Sequence, residues 1–171
     1  DEFVMYIFKA LNDFSDMFYN NKGLFDYKKF KLFFELPGEV GNKKRTDSIH
    51  KKLKKIKGVS TLLDEQVKNE SSMIKCVGLT IETKPDWALL NESQQMLKLG
   101  CTRVELGVQT LSEETLKFVN RGHGLKEIIE STRILKDLGF KINYHMMPGL
   151  PKATPKSDLK IWLKNEIPKI I

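Results

Sequence analysis

A chain of 171 residues with 40% hydrophobic content can bury one sizeable core, so a single compact unit or a large piece of one is expected. Twenty-nine Lys and Arg against 22 Asp and Glu leave a formal charge of +7, which suits an anionic partner and equally suits a lysine-rich surface that binds nothing. No apolar run is long enough to span a bilayer and no charged segment leads into an apolar signal region, so a membrane-spanning helical protein is excluded and a soluble, intracellular one is expected.

Phe3, Val4, Ile7, Phe8, Leu11 and Phe14 recur at helical spacing, which predicts an amphipathic helix over residues 1–19. Residues 20–60 change composition and read as a lysine-rich insertion or mobile connection. There Phe30, Phe33, Phe34 and Leu36 precede Pro37-Gly38, and Lys43-Lys44-Arg45 and Lys51-Lys52-Leu53-Lys54-Lys55-Ile56-Lys57 follow. Such a run is either a solvated face or a basic segment that contacts RNA phosphates, in which case Lys51, Lys52, Lys54 and Lys55 are its candidate contacts. A helix over about residues 60–75, with Leu62, Leu63 and Val67 on one side, would feed the first strand.

From residue 75 to 171 the pattern is a strand-helix repeat. Cys76 to Thr83 alternates, with Val77, Leu79 and Ile81 on one face and Gly78, Thr80 and Glu82 on the other, until Lys84-Pro85-Asp86 stops it. A helix through Leu90, Met96 and Leu97 ends at Gly100, which suits the left-handed position after a helix. In the next strand Val104, Leu106 and Val108 oppose Glu105, Gly107 and Gln109. Ser112 can cap a short helix, Arg121-Gly122-His123-Gly124 interrupts it, and Leu125 to Leu138 forms a longer helix closed by Gly139. Residues 141–147 make a third strand, Pro148-Gly149-Leu150-Pro151 ends it, and a helix restarts after Pro155.

Three strands followed by helices imply parallel neighbours. If the apolar registers pack under the helices, Glu82, Gln109 and His145 share the carboxyl-terminal rim, where polar groups need a partner or a ligand. An open sheet, with Glu82 paired to a lysine and His145 a satisfied core histidine, is the alternative. Cys76 and Cys101 are too far apart for a metal-binding motif and fit reduced core residues.

Four ordered stretches carry a family resemblance: residues 78–86 (GLTIETKPD), 103–109 (RVELGVQ), 120–123 (NRGH) and 143–151 (NYHMMPGLP). They resemble the Elongator catalytic-subunit family, which joins a radical S-adenosylmethionine (SAM) domain to an acetyltransferase domain and modifies the wobble uridine of tRNA. The resemblance implies an α/β fold, the carboxyl-terminal part of a partial (β/α)6 TIM-like radical SAM barrel. It also implies that Glu82, Gln109 and Arg121 contact the cofactor, Arg121 through its carboxylate, for which a planar guanidinium is suited. His145 stands where related enzymes often carry an aspartate and is counted with the cofactor residues. Lys84 and His123 are candidate RNA contacts, His123 with a structural role or a cofactor contact as the alternatives. The parent would use acetyl-CoA, SAM and a [4Fe-4S] cluster, act on tRNA with other Elongator subunits, and reside in the cytoplasm, with the nucleus a second compartment.

The departures are specific. The family holds its cluster through three closely spaced cysteines that nothing here matches, and these 171 residues hold no stretch that matches the family's acetyltransferase domain. The expectation is a piece of a longer enzyme, inactive alone, free of cluster, and able to associate through an exposed sheet edge. A non-catalytic scaffold for tRNA or subunit docking is the alternative.

Overall fold

Alternation of Val104, Leu106 and Val108 with Glu105, Gly107 and Gln109 yields a strand with one face sealed: all three apolar residues are fully buried. This is β2 (Arg103–Gln109), the centre of a three-stranded parallel sheet between β1 (Thr80–Thr83) and β3 (Lys141–Met146). The computed structural model describes residues 1–163, so the end of the expected 75–171 repeat lies outside the described residues. The chain divides into two compact units, Asp1–Val77 and Gly78–Ile171, where composition alone suggests one.

In the second unit β1 leads through a 3-10 turn at Pro85–Trp87 to α5 (Leu90–Lys98). β2 leads to α6 (Glu113–Phe118) and α7 (Leu125–Asp137), and β3 to α8 (Pro155–Leu163). This is the α/β architecture expected. Ala88, Met96, Leu116, Ile128 and Leu135 close over the apolar face of β2. The Ser112 side chain accepts from Thr115 N–H and caps α6, as predicted. The first strand is shorter than expected: only residues 80–83 pair, and Val77 is 91% exposed.

The first unit departs further from its sequence reading. Residues 20–60, expected to be weakly structured, contain α2 (Tyr27–Phe33) and α3 (Lys43–Lys57), capped by the side chains of Asp26 and Asn42. The physical reason is aromatic. Phe18, at the end of α1 (Glu2–Phe18), is buried in a ring cluster with Phe14 at 4.8 Å, Phe30 at 5.4 Å and Phe33 at 5.7 Å. Along α3, Ile49, Leu53 and Ile56 recur at helical spacing among the lysines. In α4 (Leu62–Ser71) the buried face is polar: Leu63 and Val67 point outward, and Glu65 and Asn69 are buried. Asn12 Nδ2 donates to Glu65 Oε2 at 2.8 Å and to the Glu65 carbonyl at 2.9 Å, and Asn69 Nδ2 donates to Asn12 Oδ1 at 2.7 Å. A satisfied polar seam thus replaces the leucine stripe that periodicity suggested.

Candidate active site

Glu82, Glu105 and His145 gather on one face of the sheet. Glu82 on β1 and Glu105 on β2 are register partners, so their carboxylates stand side by side. His145 on β3 reaches across β2 to both: Nδ1 lies 3.0 Å from Glu82 Oε1 and Nε2 lies 2.5 Å from Glu105 Oε2. An imidazole that meets a carboxylate at each nitrogen is best satisfied as imidazolium, donating twice. The hydrogen bond to Glu105, aided by the charges of Glu82 and Glu105, accordingly raises the His145 pKa.

Beyond this triad, Glu82, Gln109, His145 and Tyr144 line an open hollow of about 640 Å3 with Met146 and Met147. The three rim residues expected on one face therefore share one concavity. Gln109 ends β2 with φ +68°, in the left-handed region that a glutamine rarely adopts. Thr110 N–H bonds back to the Val108 carbonyl at 2.9 Å, the sheet register shifts between Leu106 and Gln109, and Met147 N–H donates to the Gln109 carbonyl at 2.8 Å. A non-glycine residue in that region costs about 1–3 kcal/mol and persists only where its surroundings hold it there.

Arg121 enters from the turn after α6. Its Nη2 donates to the Gly107 carbonyl at 3.0 Å. A Cβ at residue 107 would lie 2.8 Å from that Nη2 and 3.2 Å from Gln109 Nε2, so the missing side chain is the cradle in which guanidinium and amide meet. Beside them Lys84 Nζ bonds Asp86 Oδ2 at 3.0 Å, and Asp86 Oδ1 faces His123 Nδ1 at 3.6 Å. His123 is buried, and burial, with the Arg121 charge second, lowers its pKa, while Asp86 and the nearby Val108 carbonyl oppose that shift. Among the described residues, four of the five buried side-chain polar atoms without a hydrogen-bond partner sit in this patch: Asp86 Oδ1, Arg121 Nε and both His123 ring nitrogens. Polar atoms stranded so close together are poised for an added hydrogen-bonding group.

The lysines of α3 divide by direction. Lys51, Lys54 and Lys55 are exposed, whereas Lys52 Nζ is held by Glu35 at 2.7 Å and by the Phe33 carbonyl at 2.9 Å. Lys54 lines an apolar groove beside α1. Sequence reasoning placed Glu105 on the correct face without singling it out, and missed Asp86. The signals were the shared period-two face of Glu82 and Glu105, and the position of Asp86 in the turn just after β1. Cys101 Sγ is buried against the Arg103 carbonyl at 3.0 Å, and burial pushes its pKa up, so it is a protonated core thiol. Two cysteines, one of them so placed, do not fit the ligand set of a [4Fe-4S] cluster, and no three-residue metal-binding group occurs among the described residues.

With this geometry in place, comparison with known proteins is informative. The model of the radical SAM superfamily matches residues 29–160. A tRNA uridine(34) acetyltransferase of Methanocaldococcus jannaschii is 48% identical over 103 residues, 60% of this chain and 19% of the relative. Elongator complex protein 3 of Schizosaccharomyces pombe is 47% identical over 98 residues, 57% of this chain and 18% of that protein. The solved structure of archaeal Methanocaldococcus infernus Elp3, lacking its N-terminal residues 1–46, aligns with a TM-score of 0.59 at 46% identity, covering 61% of this chain and 24% of that one. The chain spans about a fifth of the length of the curated relatives it matches.

Proposed function

This chain belongs to the radical SAM superfamily, and from that membership we propose that it forms the carboxyl-terminal strands of the SAM-binding barrel in an enzyme that modifies the wobble uridine of tRNA. The observation that carries the proposal is that Glu82 and Gln109 line one hollow while Arg121 Nη2 and Gln109 Nε2 meet over the bare backbone of Gly107. Glu82 would accept from ribose hydroxyls or the amino group, Gln109 would do either, and the Arg121 guanidinium would hold the carboxylate in a charge-assisted fork. The orphaned Arg121 Nε fits that last role. His145 is bound on both sides by carboxylates, so its part is to fix Glu82.

When bound, SAM with its cluster supplies one-electron chemistry for opening a C–H bond. The cluster ligands would come from residues outside this sequence, and acetyl-CoA would be the acyl donor of the whole enzyme. Lys84 and the exposed lysines Lys51 and Lys55 are the proposed tRNA contacts, and subunits like those of the relatives' Elongator complex are the proposed protein partners. Lys52 is held away from that role by Glu35, Lys54 is exposed on the side of the groove beside α1, and His123 is buried.

Calorimetric titration of the chain with SAM tests the reading. Glu82→Gln and Arg121→Ala should each weaken binding by about 10-fold or more, since a hydrogen bond to a charged group contributes roughly 1.5–3 kcal/mol. Affinity that survives both changes would place SAM elsewhere. Anaerobic reconstitution followed by iron and sulfide analysis should leave the chain without cluster, and stoichiometric cluster would overturn the ligand argument.

A further inference from the structure

The lysine-rich helix α3 is not absorbed by the cofactor reading. It borders a groove within the first unit, about 630 Å3 in volume, walled by Phe14 and Met17 of α1, by Phe33 and Phe34, and by Leu53 and Ile56 of α3. The α1 wall runs from Tyr6 to Met17, about 16 Å at the helical rise, or three turns. Four basic groups ring the apolar floor: Lys9, His50, Lys54 and Lys57. Lys9 is tied to Asp13 at 2.9 Å and Lys57 lies 4.0 Å over the Tyr6 ring, whereas His50 and Lys54 have no partner among the described residues. The one acidic residue of the lining, Asp13, is thus already neutralised.

We propose that this groove is a docking site for an acidic amphipathic helix, about three turns long, carried by a protein partner. Its length matches a helix laid alongside α1, with apolar anchors at i, i+3 or i+4, and i+7 entering the floor. Asp and Glu flanking those anchors would meet Lys54 and His50, and the surplus charge of α3 complements them. Nucleic acid is a poorer fit. Phosphates would reach the exposed lysines and leave the aromatic residues of a mostly apolar lining in water. Leu53 is 44% exposed at this site, an apolar side chain that a docked helix would cover.

The test is selection of a displayed library of 14-residue peptides on the whole chain, counter-selected against Leu53→Glu. The expected winners carry apolar residues at helical spacing flanked by Asp and Glu. They should bind the chain at about micromolar Kd, weaken at least 10-fold in Lys54→Glu, and weaken with salt. Circular dichroism establishes that the variants fold, and should Leu53→Glu unfold, Lys54→Glu with amide-exchange mapping of α1 and α3 carries the test. No enrichment over the counter-selection, winners without acidic residues, or affinities unchanged by both substitutions would overturn the proposal. So would tRNA binding that Leu53→Glu abolishes, which would assign the groove to nucleic acid.

Discussion

A methyl group at residue 107 would meet Arg121 Nη2 at 2.8 Å, Gln109 Nε2 at 3.2 Å and the Thr83 carbonyl at 3.4 Å. The two closest atoms end flexible side chains, so Gly107→Ala should leave the fold standing and displace the guanidinium and amide instead. The expected outcome is a loss of about 1 kcal/mol in stability with about a 10-fold loss of SAM affinity, read by thermal melting and calorimetry; equal losses in both would reduce Gly107 to packing. The two histidines of this unit should titrate in opposite directions. His145 has a raised pKa through Glu105, so the folded state binds its proton more tightly. That contribution is complete below about pH 6.5 and is lost as pH rises through the raised value. His123 has a lowered pKa through burial, so its contribution is present above about pH 6.5 and is lost as pH falls through the lowered value. NMR titration of the ring protons checks both signs, and Glu105→Gln should bring His145 back down. A histidine at 145 that titrates at or below its ordinary value would mean the carboxylate clamp does not form in solution.

At the scale of elements, polar contacts position helices as firmly as apolar ones. Asn12→Ala would strip Glu65 Oε2 of its Asn12 donor and leave Asn69 Nδ2 with the Ile74 carbonyl alone in a buried seam, at a cost of about 1–3 kcal/mol to the first unit. Asn12→Ala with an unchanged melt would show that water enters the seam freely. This seam is also where sequence reading failed. Leu63 and Val67 obey a helical period, but the face they mark is exposed, because the hydrogen-bond pairing of Asn12, Glu65 and Asn69 over more than fifty residues leaves no periodic trace. The strands were legible for the opposite reason. Val104, Leu106 and Val108 are sealed on one side only, so alternation reported their burial and, through it, the common face of Glu82, Gln109 and His145. Helix α3 falls between these cases: its Ile49, Leu53 and Ile56 spacing was visible, and lysine-rich composition obscured it.

Over the whole molecule the charge is not spread. Helix α3 holds eight Lys and Arg side chains and one acidic, a surplus of seven that equals the net charge of the chain with histidine neutral, so the remainder is balanced. The sheet has three strands, and the outer edges of β1 and β3 pair with no further strand among the described residues. Sedimentation should therefore report association that grows with protein concentration, and a monomer across that range would mean that strands of four and six residues are too short to template pairing. Polyanion binding should follow α3 alone. Lys51 and Lys55 face solvent, so Lys51→Gln with Lys55→Gln should reduce the slope of log affinity for tRNA against log salt by about 1.5, since each phosphate that a lysine neutralises adds roughly 0.7 to 0.9 to that slope. Lys54→Gln, on the groove side, should change the slope less than either while weakening the acidic peptide. A slope that responds equally to all three lysines would mean that α3 acts as one undivided basic surface, and an unchanged slope would move the tRNA-binding surface to the balanced remainder of the chain.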